Sequence, residues 1–330
     1  MTIYDVANEA GVSISTVSRV MNSPEKVSPA TRDRVLAVLQ KNSYVPSAFA
    51  RGLANNSSKT IAILMPDIRN LHFSIAAYVL ENYFFEHQYM TLLCNTGNDL
   101  ERKKSYIRSL SEKKIEGLIL QGSVFNDPEI ERMLTDYMPD IPVIISNSEL
   151  NLKNAYSVSV DQAYGAELLL QHLCDRGYRN VYFIRSNKSR NTQRKIDGFL
   201  HAMKRHHLPL NEEKNLFWCD YSPEGVLDLA QSILPLCGQG TACIFYDDYL
   251  ASCGVGAFRS LGLSIPRDVG IVGFDNSRFS TTCYPQLTTI DTKVEKIALM
   301  MANTLHNILT NQLAAEATII KPELIVREST

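Results

Sequence analysis

The chain has 330 residues, 45% of them hydrophobic and 21% charged, with a formal net charge of −2. That length exceeds one ordinary domain. The apolar fraction is that of a globular protein with a sizeable core, and the near-neutral total gives no sign of a nucleic-acid partner. The distribution of charge does: residues 1–59 carry seven Lys/Arg against four Asp/Glu, a net +3 that leaves −5 on the remainder. A basic head on an acidic body assigns an anionic partner to the head alone.

The head reads as three short helices. Thr2 followed by Asp5 fits a helix start, and Ile3, Val6, Ala7 and Ala10 then share one face. Gly11 supplies the left-handed residue that ends the helix. Ser13 caps a second helix whose inward stripe is Val17, Val20 and Met21. Two short helices joined by a glycine turn form a helix-turn-helix. A third helix begins at Ser28-Pro29 and buries Val35, Leu36, Val38 and Leu39.

The outward face of the second helix is unusual. It carries Ser13, Ser15, Thr16, Ser18, Arg19 and Asn22 in place of the Lys/Glu pairs of a solvated helix. A recognition helix enters the major groove, where acidic side chains would be repelled by phosphate. Short hydroxyl residues let the backbone approach and can donate to phosphates or bases. Arg19 can fork onto guanine, and Ile14 can touch a thymine methyl. Tyr4 is a further DNA-contact candidate. The partner expected for this face is double-stranded operator DNA. The alternative is a small solvated domain that packs on another protein.

After Pro46, Ser47 can cap a helix over Ala48–Ala54. It is too short to be stable alone, so folding should require burial of Leu53. Ala50 and Leu53 are the DNA-contact candidates there, the leucine as a minor-groove wedge. NNSSK (55–59) reads as a linker.

From residue 60 apolar strands alternate with amphipathic helices. TIAILMP (60–66), TLLCN (91–95), GLILQG, PVIISN and VSVD (158–161) read as strands, with helices at Phe73–His87 and near Glu101–Lys113. The pattern restarts with a helix at Ala163–Arg176, strand VYFIR, a helix near Lys195–His206, strand ACIFYD, a helix at Leu250–Leu261 and strand VGIVGFD. Alternating βα units predict parallel sheets covered on both faces, here as two similar α/β lobes. Such sheets bind ligands beyond the carboxyl ends of their strands. Asn147, Asp161, Arg190, Arg194, Lys195, Asp247 and Asp275 sit at or just past those ends, with Asp67 and Asp248. Phe73 and Tyr221 are candidate ring platforms. Carboxylates, guanidinium and aromatic faces together suit a polyhydroxylated, sugar-like small molecule. For each acid the alternative is capping of the next helix.

Catalytic and metal residues are expected to be none, and no cofactor is expected. There is no GxxxxGK[ST], GxSxG or HExxH, and GVGAFR (254–259) lies in a helical pattern. The seven cysteines are scattered without a CxxC pair, which favours buried thiols in a reducing compartment. No basic-then-apolar leader and no stretch of about 20 apolar residues is present, so a cytoplasmic protein without membrane contact is expected. The helix after Asn70 is apolar on more than one face (Phe73, Ala77, Leu80 and Phe84, but also Ile75, Val79 and Tyr83), as in a homodimer interface.

TIYDVANEAGVSISTVSRVMN followed by VSPATRDRVLAVLQKNSYVPSAFARGLA closely resembles the head of the lactose-repressor/galactose-repressor (LacI/GalR) family of bacterial transcription regulators. IPRDVGIVGFDN and YPQLTTI extend the resemblance into the body. It implies base-reading roles for Ile14, Ser15 and Arg19, and the hinge-helix role for Leu53. Gly52 departs from the family, which favours a better helix former there. The resemblance further implies a periplasmic-binding-protein-like type I fold: a helix-turn-helix domain (1–46), a hinge (47–59), and two doubly wound lobes. These would be 60–160 plus 291–319, and 161–290 plus 320–330, with three crossings. Asp161, Tyr221 and Asp275 fall at its effector positions. Lys195 stands where the family usually has arginine, with Arg194 beside it. The function implied is a sequence-specific regulator, in all a repressor under effector control. The alternatives are the same regulator controlled by a phosphoprotein corepressor, and a cytosolic sugar-binding protein without regulatory role.

Overall fold

A computed structural model describes residues 2–42 and 58–330, in two units, Met1–Lys59 and Thr60–Thr330. The head unit holds α1 (Ile3–Ala10), α2 (Ile14–Asn22) and α3 (Pro29–Lys41). Thr2 and Asp5 form a reciprocal capping box, and Gly11 closes α1 at φ 64°. Ser13 caps α2 by accepting from the Thr16 N–H. Val6, Ala7, Ala10, Val17, Val20, Val35 and Val38 make the small core. Leu36 is a correction: it is 41% exposed, because α3 meets the other two helices only along its Val35/Val38 line. Ser28 precedes Pro29 as expected, yet its hydroxyl donates to Thr31 Oγ1 and caps no backbone N–H. Glu9 accepts from Lys41 (2.8 Å) and Asn42 (3.0 Å), tying the start of the head to its end.

The first lobe is built on a parallel sheet of six strands: β1 (Thr60–Met65), β2 (Met90–Asn95), β3 (Gly117–Leu120), β4 (Val143–Ser146), β5 (Ala155–Val160) and, much later in the chain, β11 (Ala317–Ile320). Their order is β11-β5-β4-β3-β1-β2. Side chains alternate strictly. Ile61, Ile63 and Met65 join one core with α4 (Leu71–Glu86) and α13 (Val294–Leu309), while Ala62 and Leu64 join the other with α5 (Leu100–Glu112) and α6 (Pro128–Tyr137). A strand buried on both faces must be apolar at every position, which is why these strands read as unbroken hydrophobic runs.

The second lobe repeats the scheme. Its parallel sheet has the order β7-β6-β8-β9, from β6 (Asn180–Arg185), β7 (Leu216–Trp218), β8 (Thr241–Phe245) and β9 (Gly270–Val272). Helices α7 (Gln162–Asp175) and α8 (Arg190–Arg205) cover one face; α10 (Pro223–Ile233) and α11 (Asp248–Ser260) cover the other, and α9 (Glu212–Asn215) and α12 (Phe279–Thr282) are single turns. Gly198 explains how α7 and α8 approach so closely. A Cβ there would lie 2.6 Å from Ala163 Cα, inside contact distance.

The chain passes between lobes after β5, returns before α13, and leaves again after β11. Strands β10 (Thr289–Asp291) and β12 (Glu323–Ile325) pair antiparallel along two of these passages. The last residues then lock onto the second lobe, where the Ile271 N–H donates to Ser329 O (3.0 Å).

Both sheets reverse strand order beside their first strand, between β1 and β3 and between β6 and β8. Crevices open at such switch points, beyond the carboxyl strand ends. No described helix is long and apolar enough to cross a membrane.

Candidate functional site

On the head, Ser13 is committed to capping, and its hydroxyl also shares hydrogen bonds with Ser15 Oγ (2.8 Å) and Thr16 Oγ1 (2.9 Å). Tyr4, Ile14, Ser15 and Arg19 are exposed, Tyr4 by 65%; Thr16 and Ser18 are half-buried. Asn22 ends α2. Because Val17 and Val20 turn inward at 3.6 spacing, Ser15, Ser18 and Arg19 are left on the outward side. Ala50 and Leu53 lie outside the described residues.

Between the lobes, Asn70, His72, Tyr221, Asp247, Asp248, Tyr249 and Asp275 border a cavity of about 50 Å³. Helix starts and loops that follow strand ends bring them together from distant parts of the sequence. Asp247 caps α11, with Oδ1 accepting from the Leu250 N–H (2.9 Å), and its Oδ2 accepts from Tyr221 Oη at 2.6 Å. Burial pushes the Asp247 carboxyl up to about 6; the Leu250 N–H and Tyr221 hydroxyl restrain the rise, and Asp275 adds to it. Tyr221 is raised as well, first by burial of its hydroxyl and then by the Asp247 charge. Its ring is tilted against Tyr249 at 5.2 Å. Asp275, at φ 97°, accepts from Thr292 Oγ1 (3.1 Å) and lies 4.0 Å from His72 Nδ1. Burial pushes His72 down, against the pull of Asp275, so the imidazole is neutral near pH 7.

Lys195 is only 3% exposed. Its Nζ donates to Tyr246 O (2.9 Å) and sits 3.9 Å from the Phe274 ring centroid and 4.5 Å from that of Tyr246. Burial lowers its pKa, opposed by Asp275, Asp247 and Asp248. Arg190 reaches across to Asn126 Oδ1 (3.0 Å), and Arg194 to Glu149 Oε1 (3.4 Å). Asn70 donates to Tyr221 Oη at 3.4 Å, a third bridge between lobes.

The remaining candidates are engaged locally. Asp161 caps α7 by accepting from the Tyr164 N–H (3.0 Å). Asn147 is buried and accepts from the Val160 N–H (3.0 Å). Phe73 packs beside Gly122 and edge-on to His72. Sequence reasoning missed Asn70, His72 and Tyr249. Asn70 and His72 follow the β1 strand end, the position class that pointed to Asp67, and were legible by the same rule.

Several buried side-chain atoms at these strand ends have no protein partner: His72 Nδ1, both amide atoms of Gln121, Ser148 Oγ, Arg185 Nε, Ser186 Oγ and Asn191 Oδ1. Buried polar atoms are ordinarily paired; these belong to the segments that follow β1, β3, β4 and β6.

Residues 2–47 match the family of bacterial regulatory proteins of the lacI type, and residues 170–330 match a periplasmic binding protein-like domain. An HTH-type transcriptional regulator of Lachnoclostridium phytofermentans is 32% identical over 335 residues, covering 100% of this chain and 99% of that protein. The HTH-type transcriptional repressor PurR of Photorhabdus laumondii is 31% identical, covering 99% and 96%. Among solved structures, the lac repressor dimer bound to operator and the anti-inducer ONPF superposes with a TM-score of 0.85 at 21% identity, covering 100% and 98%. The helix-turn-helix head, the paired parallel sheets and whole-length identity to such regulators place this chain in the lacI family of DNA-binding transcription regulators.

Proposed function

We propose that the chain is a homodimeric repressor whose operator binding is controlled by a small polyhydroxylated effector in the interlobe cleft. The observation that supports this is the convergence of Asp247, Asp275, Tyr221, Lys195 and His72 between the two switch points. Acids that accept, cations that donate and a ring that covers an apolar face are what a sugar-like molecule needs. Ile14, Ser15 and Arg19 read the bases, and Tyr4, Thr16, Ser18 and Asn22 support them. The lobes divide near 160/161 and 290/291, and after Ile320, one residue beyond the expected 319, because Ile320 still pairs with Val160 in the first sheet.

A cavity of about 50 Å³ is several-fold below the ~300 Å³ of ordinary ligand sites. Effector entry therefore requires the lobes to part, breaking the Asn70–Tyr221, Arg190–Asn126 and Arg194–Glu149 bridges. That movement is the bistable element through which a ligand changes DNA affinity; such couplings are typically about 1–3 kcal/mol.

Dimerisation is supported by Tyr78 and Phe85, two turns apart on one face of α4 and 71% and 73% exposed, and by Leu93, exposed on the α4 side of the edge strand β2. Large apolar side chains grouped in this way mark an interaction surface. A repressor of a two-fold operator needs paired heads.

The test is a thermal-shift panel of neutral and acidic sugars against the full chain. An effector raises the melting temperature by binding the native state, and Asp275→Ala abolishes the rise. A panel in which no sugar shifts the wild-type transition would remove the effector from the account.

A further inference from the structure

The charge within the cleft is unevenly divided. Asp247, Asp248 and Asp275 follow β8 and β9, whereas the segment from the end of β6 into α8 carries Arg185, Lys188, Arg190, Arg194 and Lys195 with no acid among them. Among the described residues, Arg185, Lys188 and Arg190 make no ion pair; the cross-lobe partner of Arg190 is the neutral amide of Asn126. Arg194 alone meets a carboxylate, Glu149, at 3.4 Å. A neutral sugar gives no reason for so many uncompensated cations along one wall.

Hydrogen-bonding capacity points the same way. Ser189 Oγ accepts the Thr192 N–H (3.2 Å) and Asn187 Oδ1 accepts the Ser189 N–H (3.0 Å). The Arg190 and Asn191 N–H groups remain as first-turn donors of α8, at the positive end of a helix 16 residues long. Arg185 Nε and Ser186 Oγ, in the turn that leads from β6 into α8, are buried without a protein partner. On the facing wall Ser148 is fully buried, its Oγ likewise unpartnered, next to the Glu149 that Arg194 reaches. Guanidinium forks and first-turn N–H groups are together a phosphate-binding arrangement.

Resting on the cleft-effector reading above, we propose that the effector is a phosphorylated polyol. Its phosphate sits at the amino end of α8 against Arg190, Arg194 and the first-turn N–H groups, with Ser186 and Ser148 donating their hydroxyls. Its own hydroxyls turn toward Asp247 and Asp275. Binding replaces the Arg190–Asn126 and Arg194–Glu149 bridges, so the anion itself would release two of the contacts that hold the lobes together.

The experiment is calorimetric titration of the full chain with inorganic phosphate, against chloride at matched ionic strength. Saturable heat is expected in the wild type, with about tenfold weaker binding in Arg190→Gln, the size of one charge-assisted hydrogen bond. Lys26→Ala, which removes the head's phosphate-meeting ammonium, should leave this phosphate binding unchanged, which separates the cleft from anion binding by the head. Circular dichroism checks that Arg190→Gln, an exposed position, keeps the wild-type fold. No saturable heat, equal binding by Arg190→Gln, or equal affinity for acetate would each overturn the proposal. None of these results touches the cleft-effector reading, which fails only if the sugar panel is silent.

Discussion

Replacing Arg19 with alanine should lower affinity for the preferred operator about ten- to a hundredfold, the ~1–3 kcal/mol of a bidentate base contact. Binding to random duplex should fall far less. Arg19 is exposed on the outward side of α2, while the head's core is made by Val6, Val17, Val20 and Val35. The substitution therefore leaves folding within about 0.5 kcal/mol. Lys26→Ala, in the turn after α2, serves as the contrast: without an ammonium to meet a phosphate there, specific and random duplexes bind more weakly alike and the salt dependence flattens. Fluorescence anisotropy at two salt concentrations reads both effects. If Arg19→Ala weakened both duplexes equally, Arg19 would be a phosphate clamp and base reading would pass to Ile14 and Ser15.

The second large effect lies in the cleft. Asp247 titrates near 6 in the folded chain against 3.8 for an ordinary aspartate, chiefly because it is buried. A carboxyl that holds its proton more tightly when folded stabilises the fold while protonated. That contribution is complete below about pH 4 and is lost as pH rises through about 6, a change of roughly 3 kcal/mol. The direction is opposite to that of an ion-paired surface carboxylate such as Asp268, which Arg267 holds below its ordinary value. Asp247→Asn keeps an acceptor for the Leu250 N–H and removes the titration. The variant should match the wild type near pH 4 and exceed its unfolding free energy near pH 7. Parallel stability curves for the two proteins from pH 4 to 7 would show that Asp247 titrates normally and that the Tyr221 hydroxyl and Lys195 offset its burial in full.

Much of this architecture can be read from local chemistry. The Thr2/Asp5 box, Gly11, the Ser13 cap and Pro29 depend on neighbours within four residues, and each appears at its expected place. The strands of both lobes are visible because burial on two faces leaves uninterrupted apolar runs. Elements are hard to read where that logic is weak. The β7 strand is three residues long; α13 begins after Lys293, which is left-handed and gives no side-chain cap. Asp127-Pro128 and Ser222-Pro223 do announce α6 and α10 by the same cap-plus-proline signal that identifies α3. The α8 helix starts at Arg190, five residues before the expected Lys195, because Ser189 caps it. That shift places Arg190 and Arg194 in the first turns, where they face the opposite lobe.

The cleft divides similarly. The strand-end rule points to the acids and cations, but which of them meet depends on how two lobes close. Asp161 and Asn147 obey the rule and commit their side chains to local backbone. His72 and Asn70 enter the site because α4 starts directly behind β1.

A hydroxyl-rich helix bearing Arg19 should give this chain a preference for particular duplex DNA. Selection of the purified chain on a pool of random duplexes tests it directly. The expected result is enrichment of a two-fold symmetric sequence whose half-sites lie about one helical turn apart, with the enrichment lost in Arg19→Ala. A pool that stays random after repeated rounds with the wild-type chain would contradict it.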